Sequence, residues 1–422
     1  MNQPVTIIAW CLATAVTAMA GQPVNKQTRI FDPHVKSLKV ALANNPYTPA
    51  IYTLGRDKAL QVTFDYHDYD VPYLRYSVTH CNANWESSQL VASEYASGFN
   101  EADITDYAQS ENTFVHYYNY NLTLPNEHLQ LLKSGNYLLS VYEQDDPDKV
   151  LFQARFSVCE GTVTVKPQVT SRTDTDYNNA HQQVSFDLAY KQGTIADPYN
   201  ELTCIVTQNS RDDNAVTVTA PMMPDATHAA YDHNRNLIFP AGNEFRRIET
   251  VSLHTLNMGV ASIAYFEPYY HATLVTDQLR AESPYLYDQT QFGRFTIRNA
   301  ESDYSATEAE YVVTHFSLYT GTPWSNGHID LQGEFTEGLP APDRTLHYDP
   351  NSGCYTCDLL LKQGAYNYQY LWVPDGTRAG QSGPIEGDKY QTVNEYLIKV
   401  YDRPCGERYD RLVGYGVVYS GL

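Results

Sequence analysis

The sequence predicts an all-β protein, a tandem of β-sandwich (immunoglobulin-like) domains with few short helices, and three observations carry that expectation. Apolar and polar residues alternate at period 2 in run after run. Turn residues punctuate these runs at short intervals. Aromatics reach 13%, with 36 Tyr, an excess that suits pleated, half-buried surfaces. Helical bundles and Rossmann folds are excluded.

The first strand reads clearly: Leu60, Val62, Phe64 and Tyr66 face one way, while Gln61, Thr63 and Asp65 face the other. The same alternation returns in Leu74, Tyr76 and Val78; in Phe114, His116, Tyr118, Tyr120 and Leu122; and in Phe152, Ala154, Phe156 and Val158. Farther on it continues in Val184, Phe186, Leu188 and Tyr190, then in Leu202, Cys204 and Val206, before a polar hairpin loop at 208–214. Residues 125–132, with Pro at the start and Gly135 just beyond, predict one short crossover helix.

Residues 5–20 form an apolar run ending in Ala18-Met19-Ala20 before Gly21, the pattern of a cleavable secretory signal. The run is shorter than the roughly 20 residues a membrane span needs. Met1-Asn2-Gln3 lack the usual Lys or Arg, and Cys11 sits inside the run rather than at the cleavage point, so no lipid anchor is expected. The remainder divides into an N-terminal sandwich at 21–160, a central one at 161–300 and a C-terminal domain at 301–422. The first boundary is placed where one strand ends near Cys159 and another opens at Thr164. The second is placed at the charged, strand-poor stretch 298–309.

With 28 Lys and Arg against 49 Asp and Glu, the formal charge is −21, and no basic cluster offsets it. Nucleic acid and anionic lipid surfaces are therefore disfavoured as partners. Beyond the signal, six cysteines remain: Cys81, Cys159, Cys204, Cys354, Cys357 and Cys405. An exported chain permits disulfides, but connectivity is not legible. Cys354 and Cys357 lie in a strand-like run without the helix start that lowers a thiol pKa, which favours a structural role over a redox or zinc site. Three apart on a strand, their Cα atoms stand roughly 10 Å apart, beyond disulfide reach.

No zinc-type His-Glu-x-x-His, nucleophile elbow or phosphate-cradling loop occurs in the sequence. Asp65, His67, Asp68 and Asp70 could be drawn as metal ligands, yet along a strand they do not converge, and a solvated strand end is the favoured reading. Asp174-Thr175-Asp176-Tyr177-Asn178 opens like a calcium loop but lacks the Gly and Glu that complete one. Pairs of acidic residues are too abundant to single out a glycosidase dyad. His80, at a strand end, reads as a structural histidine. No catalytic residue, metal or cofactor is expected.

Several segments together resemble the plug protein family of the type IX secretion system: His80-Cys81-Asn82-Ala83-Asn84-Trp85, Ser97-Gly98-Phe99-Asn100-Glu101, Ser134-Gly135-Asn136-Tyr137, Ala241-Gly242-Asn243-Glu244-Phe245-Arg246, Lys362-Gln363-Gly364-Ala365-Tyr366 and Arg408-Tyr409-Asp410-Arg411-Leu412. The resemblance covers nearly the whole mature chain. It implies a periplasmic, non-enzymatic monomer at the inner face of the outer membrane. Its expected partner is a very large outer-membrane β-barrel translocon, whose pore it closes. The C-terminal domain separately resembles early-set immunoglobulin-like modules of glycogen-binding proteins, through Leu331-Gln332-Gly333-Glu334-Phe335 and the strand ending at Trp372. Where sugar-binding members carry stacking Trp residues, this chain has Thr336-Glu337-Gly338 and Thr377-Arg378. Trp372 shares a face with Tyr366, Tyr368 and Tyr370 and is expected in the core. A glycan-binding module is the alternative reading, and a hydrolase of unfamiliar type a remote third. Candidate docking loops are Arg211, Asp212, Asp213 and Asn214, and Asn243, Glu244, Phe245 and Arg246, since binding residues concentrate on loops. Ordinary turns that satisfy their own backbone are the competing reading.

Overall fold

A computed structural model describes residues 26–421, and the signal segment expected at 1–20 lies outside them. About 47% of the described residues are strand and 7% helix, and the α-helical segments among them are each four residues long. The all-β expectation holds, in mainly antiparallel sheets arranged as three cores, with Tyr269–Leu274 running parallel to Tyr311–Tyr319.

The first core lies between two sheets. One orders Val35–Leu42, Leu60–Tyr66, Tyr118–Leu124 and Tyr107–Gln109; the other is built on Leu74–Cys81, Gly135–Glu143 and Asp146–Cys159. Val62, Phe64, Tyr120 and Phe152 meet between them, with Phe64 stacked on Tyr120 at 5.1 Å and edge-on to Phe152 at 4.7 Å. The structure departs from the sequence expectation at two places. Phe114 and His116 precede the strand that begins at Tyr118, and both are exposed. Residues 125–132 form no helix: the Asn126 side chain accepts from the backbone N–H of His128 and Leu129, and the chain continues as the strand Leu129–Leu131. The Asx turn satisfies the donors that a helix would otherwise have used, and burying both Leu129 and Leu131 requires strand periodicity.

The second and third cores do not follow the expected boundaries at 300 and 301. The second joins a sheet built on His181–Ala189 to one in which Leu202–Gln208 pairs not only with Val216–Val218 but with Glu395–Asp402, itself paired with Arg411–Tyr419. Tyr396, Ile398, Val400 and Val413 therefore pack with Val184, Phe186 and Tyr231. The third core contains Ile248, Val260, Ala272 and Phe295 along with Phe316, Leu359 and Tyr370. Its sheets are centred on Gly364–Pro374, which pairs with Arg246–Glu249, Phe295–Ile297 and Gly327–Gln332, and on Tyr311–Tyr319, which pairs with Cys354–Lys362. The third unit is thus an insertion into the second, and the strand-poor stretch at 298–309 lies inside it. Alternation reveals which face of a strand is buried, not which distant strand pairs with it, so this topology is invisible locally.

The units are locked together. Ile51, Ala83 and Cys159 of the first pack on Leu397, Tyr401 and Leu412 of the second. Tyr401 donates to Asn136 Oδ1 at 2.8 Å, and the Ala83 N–H donates to Asp410 Oδ2 at 2.9 Å. Gly135, at φ +135°, is required there, because a Cβ would stand 2.5 Å from His80 Nε2.

Candidate functional site

Both candidate docking loops are engaged within the chain, the first between the second and third units and the second mainly inside the third. Arg211 is buried, donating to Asp213 Oδ2 and to the Gly380 carbonyl at 2.6 Å each, which ties the second unit to the third. Asn214 donates to Gln208 Oε1, while Asp212 and Asp213 are exposed, Asp212 paired with Arg155. Asn243, Glu244 and Phe245 are buried. Asn243 donates to the Glu386 carbonyl, and Glu244 accepts from Tyr285 Oη and the Val393 N–H. Arg246 inserts between Glu386 and Asp277. Polar, Gly-flanked loops look alike in sequence whether they face a partner or another part of the same chain. Only burial separates the two.

The groups that invited chemistry are likewise engaged in structure. His80 is buried, its Nε2 beside the Ser134 carbonyl and its Nδ1 beside Ser88 Oγ, each at 2.9 Å. Asp65 leaves its three acidic and imidazole neighbours and faces the third unit, where Lys362 Nζ and Tyr311 Oη both donate to its Oδ2 at 2.6 Å. His67 packs edge-on to Tyr311 at 4.2 Å, its Nε2 buried without a hydrogen-bond partner. Asp174 and Asp176 cap their own turn through Gln183, Thr173 and His181. Cys354 and Cys357 are buried and unpaired, as are Cys81, Cys159 and Cys204; Cys405 is exposed and free. Trp372 is half-buried beside the core and edge-on to Trp324 at 5.3 Å.

Burial, reinforced by the nearby Lys36 and Lys362 ammonium groups, pushes His67 down to about 3. Its folded pKa lies below its unfolded value, so it adds nothing above pH 6.5. As pH falls from 6.5 toward 3 the unfolded chain takes up the proton and stability drops. His67→Phe should therefore lose less stability than the native chain between about pH 7.5 and pH 4.5, read as urea midpoints. An equal drop in both proteins would refute the assignment.

Sequence reasoning missed two surface features. On the outer face of the third unit, His315 bridges Asp358, 2.7 Å from its Nδ1, and His271, 2.9 Å from its Nε2. Among the described residues no hydroxyl or thiol hydrogen-bonds to either ring, so the ladder lacks a nucleophile. The second feature is the strand Val260–Phe266, at the edge of its sheet and, among the described residues, paired only with Tyr269–Leu274. All its residues are exposed except Val260 and the half-buried Ile263. No cue in the sequence sets it apart: Tyr311–Tyr319 also lacks charge and proline, yet lies inside its sheet. No helix among the described residues is long and apolar enough to cross a membrane.

Fold and surface together define an all-β protein of interlocked sandwiches, with buried ion pairs such as Asp65–Lys362 and Arg294–Glu395 at the joints between units. Residues 35–160 match the family model described as the type 9 secretion system plug protein 1st domain. A crystal structure of a hypothetical protein from Parabacteroides merdae ATCC 43184 is 42% identical, covers 94% of this chain and 100% of that one, and superposes with a TM-score of 0.92. The chain belongs to the type 9 secretion system plug protein family, which ties it to type IX secretion and to the cell envelope. Native alpha-2-macroglobulin from Escherichia coli (11% identity, 46% of this chain and 97% of that, TM-score 0.15) and the partial N-terminal region of an enterococcal surface protein (7%, 94% and 96%, TM-score 0.18) are too dissimilar to carry an argument. No curated protein matches the chain.

Proposed function

We propose that this protein is a periplasmic stopper: a single folded copy docks on the inner mouth of a large outer-membrane β-barrel of type IX secretion and closes it while no substrate passes. The match of residues 35–160 to the plug family carries the reading. The mechanism is steric and needs no catalysis. A water-filled barrel is sealed only by a body that does not deform, and the cross-unit bonds made by Asp65, Tyr401 and Arg211 supply that rigidity. Exported through its signal segment, the protein reaches the barrel from the periplasmic side and stays outside the bilayer.

Tagged protein at native level, recovered from solubilised outer membrane, should bring down a very large barrel protein; repeated recovery without one would sink the proposal. A deletion strain should become sensitive to large antibiotics that the outer membrane normally excludes. Unchanged sensitivity, with the barrel present and not otherwise blocked, would count against gating.

A further inference from the structure

The edge strand Val260–Phe266 is unprotected. Soluble proteins blunt exposed edges with Lys, Pro, bulges or a covering loop, because the free backbone N–H and C=O groups template pairing with another chain. This strand has none of the side-chain guards: it reads Val-Ala-Ser-Ile-Ala-Tyr-Phe, without charge or proline. Its register slips only near its start, between Val260 and Ser262, leaving Ile263 to Phe266 regular. Among the described residues, backbone hydrogen bonds from 262–266 go only to Tyr269–Leu274. Small exposed side chains at Ala261, Ser262 and Ala264 leave the backbone open to a neighbour.

Beside its far end Tyr265 and Tyr270 meet Phe114 of the first unit, with ring centroids 5.1 and 5.8 Å from Phe114. There a cleft of about 420 Å³ opens between the two units, lined by Phe114, Tyr270, His254, Glu301, Glu308 and the buried Glu310, with no Lys or Arg.

We propose that this edge is the docking seam of the plug. An extended segment of the barrel protein adds to it as a further strand, and a basic side chain of that segment enters the acidic cleft beside Phe114. Strand addition takes its affinity from main-chain hydrogen bonds and its specificity from side-chain pockets. Charge selects the occupant. A second copy pairing edge to edge would bring two such clefts together on chains of formal charge −21, whereas a basic strand is attracted. The inference rests on the barrel-docking reading for the identity of the partner.

The test uses the full-length protein in its host. Ala264→Lys, which places a guard on the edge without disturbing the pairing inside the sheet, should cut barrel recovery about tenfold while the melting temperature holds. Tyr177→Lys, on the exposed surface of the second unit, should leave recovery unchanged. Photo-crosslinkers at 262, 264 and 266 in otherwise native protein should reach barrel residues spaced two apart, the signature of a paired strand. They also decide the matter should Ala264→Lys prove unstable. Full recovery by Ala264→Lys with no crosslinks, or crosslinks to a second copy of this chain, overturns the seam while native recovery of the barrel leaves the plug reading standing. Failure of the native protein to recover the barrel overturns that reading first, and the seam with it.

Discussion

Lys362→Met is expected to weaken the junction between the first and third units by about 3–5 kcal/mol, the usual consequence of removing one member of a buried ion pair. Lys362 and Asp65 are 1% and 0% exposed, and they belong to different units. The ammonium donates to Asp65 and to the Ala306 carbonyl at 2.7 Å and lies 4.1 Å from the Tyr117 ring centroid. Burial lowers the Lys362 pKa, and the facing Asp65 works against that lowering, so the charged form persists only because the partner is there. Without the lysine, Asp65 keeps Tyr311 and Asn119 as donors but stays a buried charge with no counter-ion. Hydrogen exchange measures the effect locally: amides in 62–67 and 309–314 should exchange at least a hundredfold faster, since each 1.4 kcal/mol is a factor of ten in the opening equilibrium. The double variant Asp65→Asn with Lys362→Met should recover much of the loss, because a neutral pair leaves no desolvated charge. Unaltered protection in Lys362→Met, or a double variant worse than the single, would show that the pair does not hold the junction.

The same residue marks how far the sequence could be read. Leu60, Val62, Phe64 and Tyr66 are all buried as alternation predicts, because that signal depends only on which face of a strand meets its own core. Asp65, assigned by the same rule to the wet face, is buried too, since its face is covered by a unit some 300 residues farther along. Asn243, Glu244 and Phe245 are likewise buried, but against nearer partners such as Tyr285 and Glu386. The three-core topology was hidden because Glu395–Asp402 reads as an ordinary strand and nothing local says that it returns to Leu202–Gln208. Family-like segments such as His80 to Trp85 and Arg408 to Leu412 were legible as motifs. The structure supplies their physical content: Ala83 and Asp410 are bonded to each other across the first joint. The edge at Val260–Phe266 was overlooked because a bare edge is defined by the absence of a neighbour, which no single-strand pattern records.

Glu386→Gln is expected to cost about 3–5 kcal/mol and to change how the protein responds to acid. Glu386 is fully buried and receives Arg246 through two nitrogens, at 3.1 and 2.9 Å, Arg280 at 2.8 Å and the Tyr370 N–H at 3.0 Å. Burial alone would raise its pKa. The guanidinium groups of Arg246 and Arg280 reverse that and hold the carboxyl below its usual value. A neutral amide keeps the shape but leaves Arg246 facing Asp277 alone and turns an NH₂ group toward donors, so at least one contact becomes repulsive. Because the folded pKa is depressed, the native carboxylate contributes its full stability above about pH 4.5 and loses it as pH falls through the lower folded value. Glu386→Gln should thus be less stable near neutrality and show a shallower decline below about pH 4.5, by chemical denaturation followed with two independent probes. The loss should centre on the third unit, freeing Arg246–Glu249 and the Asn243 bond to the Glu386 carbonyl, and with them the attachment of the third unit to the second. A variant within about 1 kcal/mol of the native chain at pH 7, or one with the same acid limb, would mean that this carboxylate is not the hub that its four hydrogen bonds indicate.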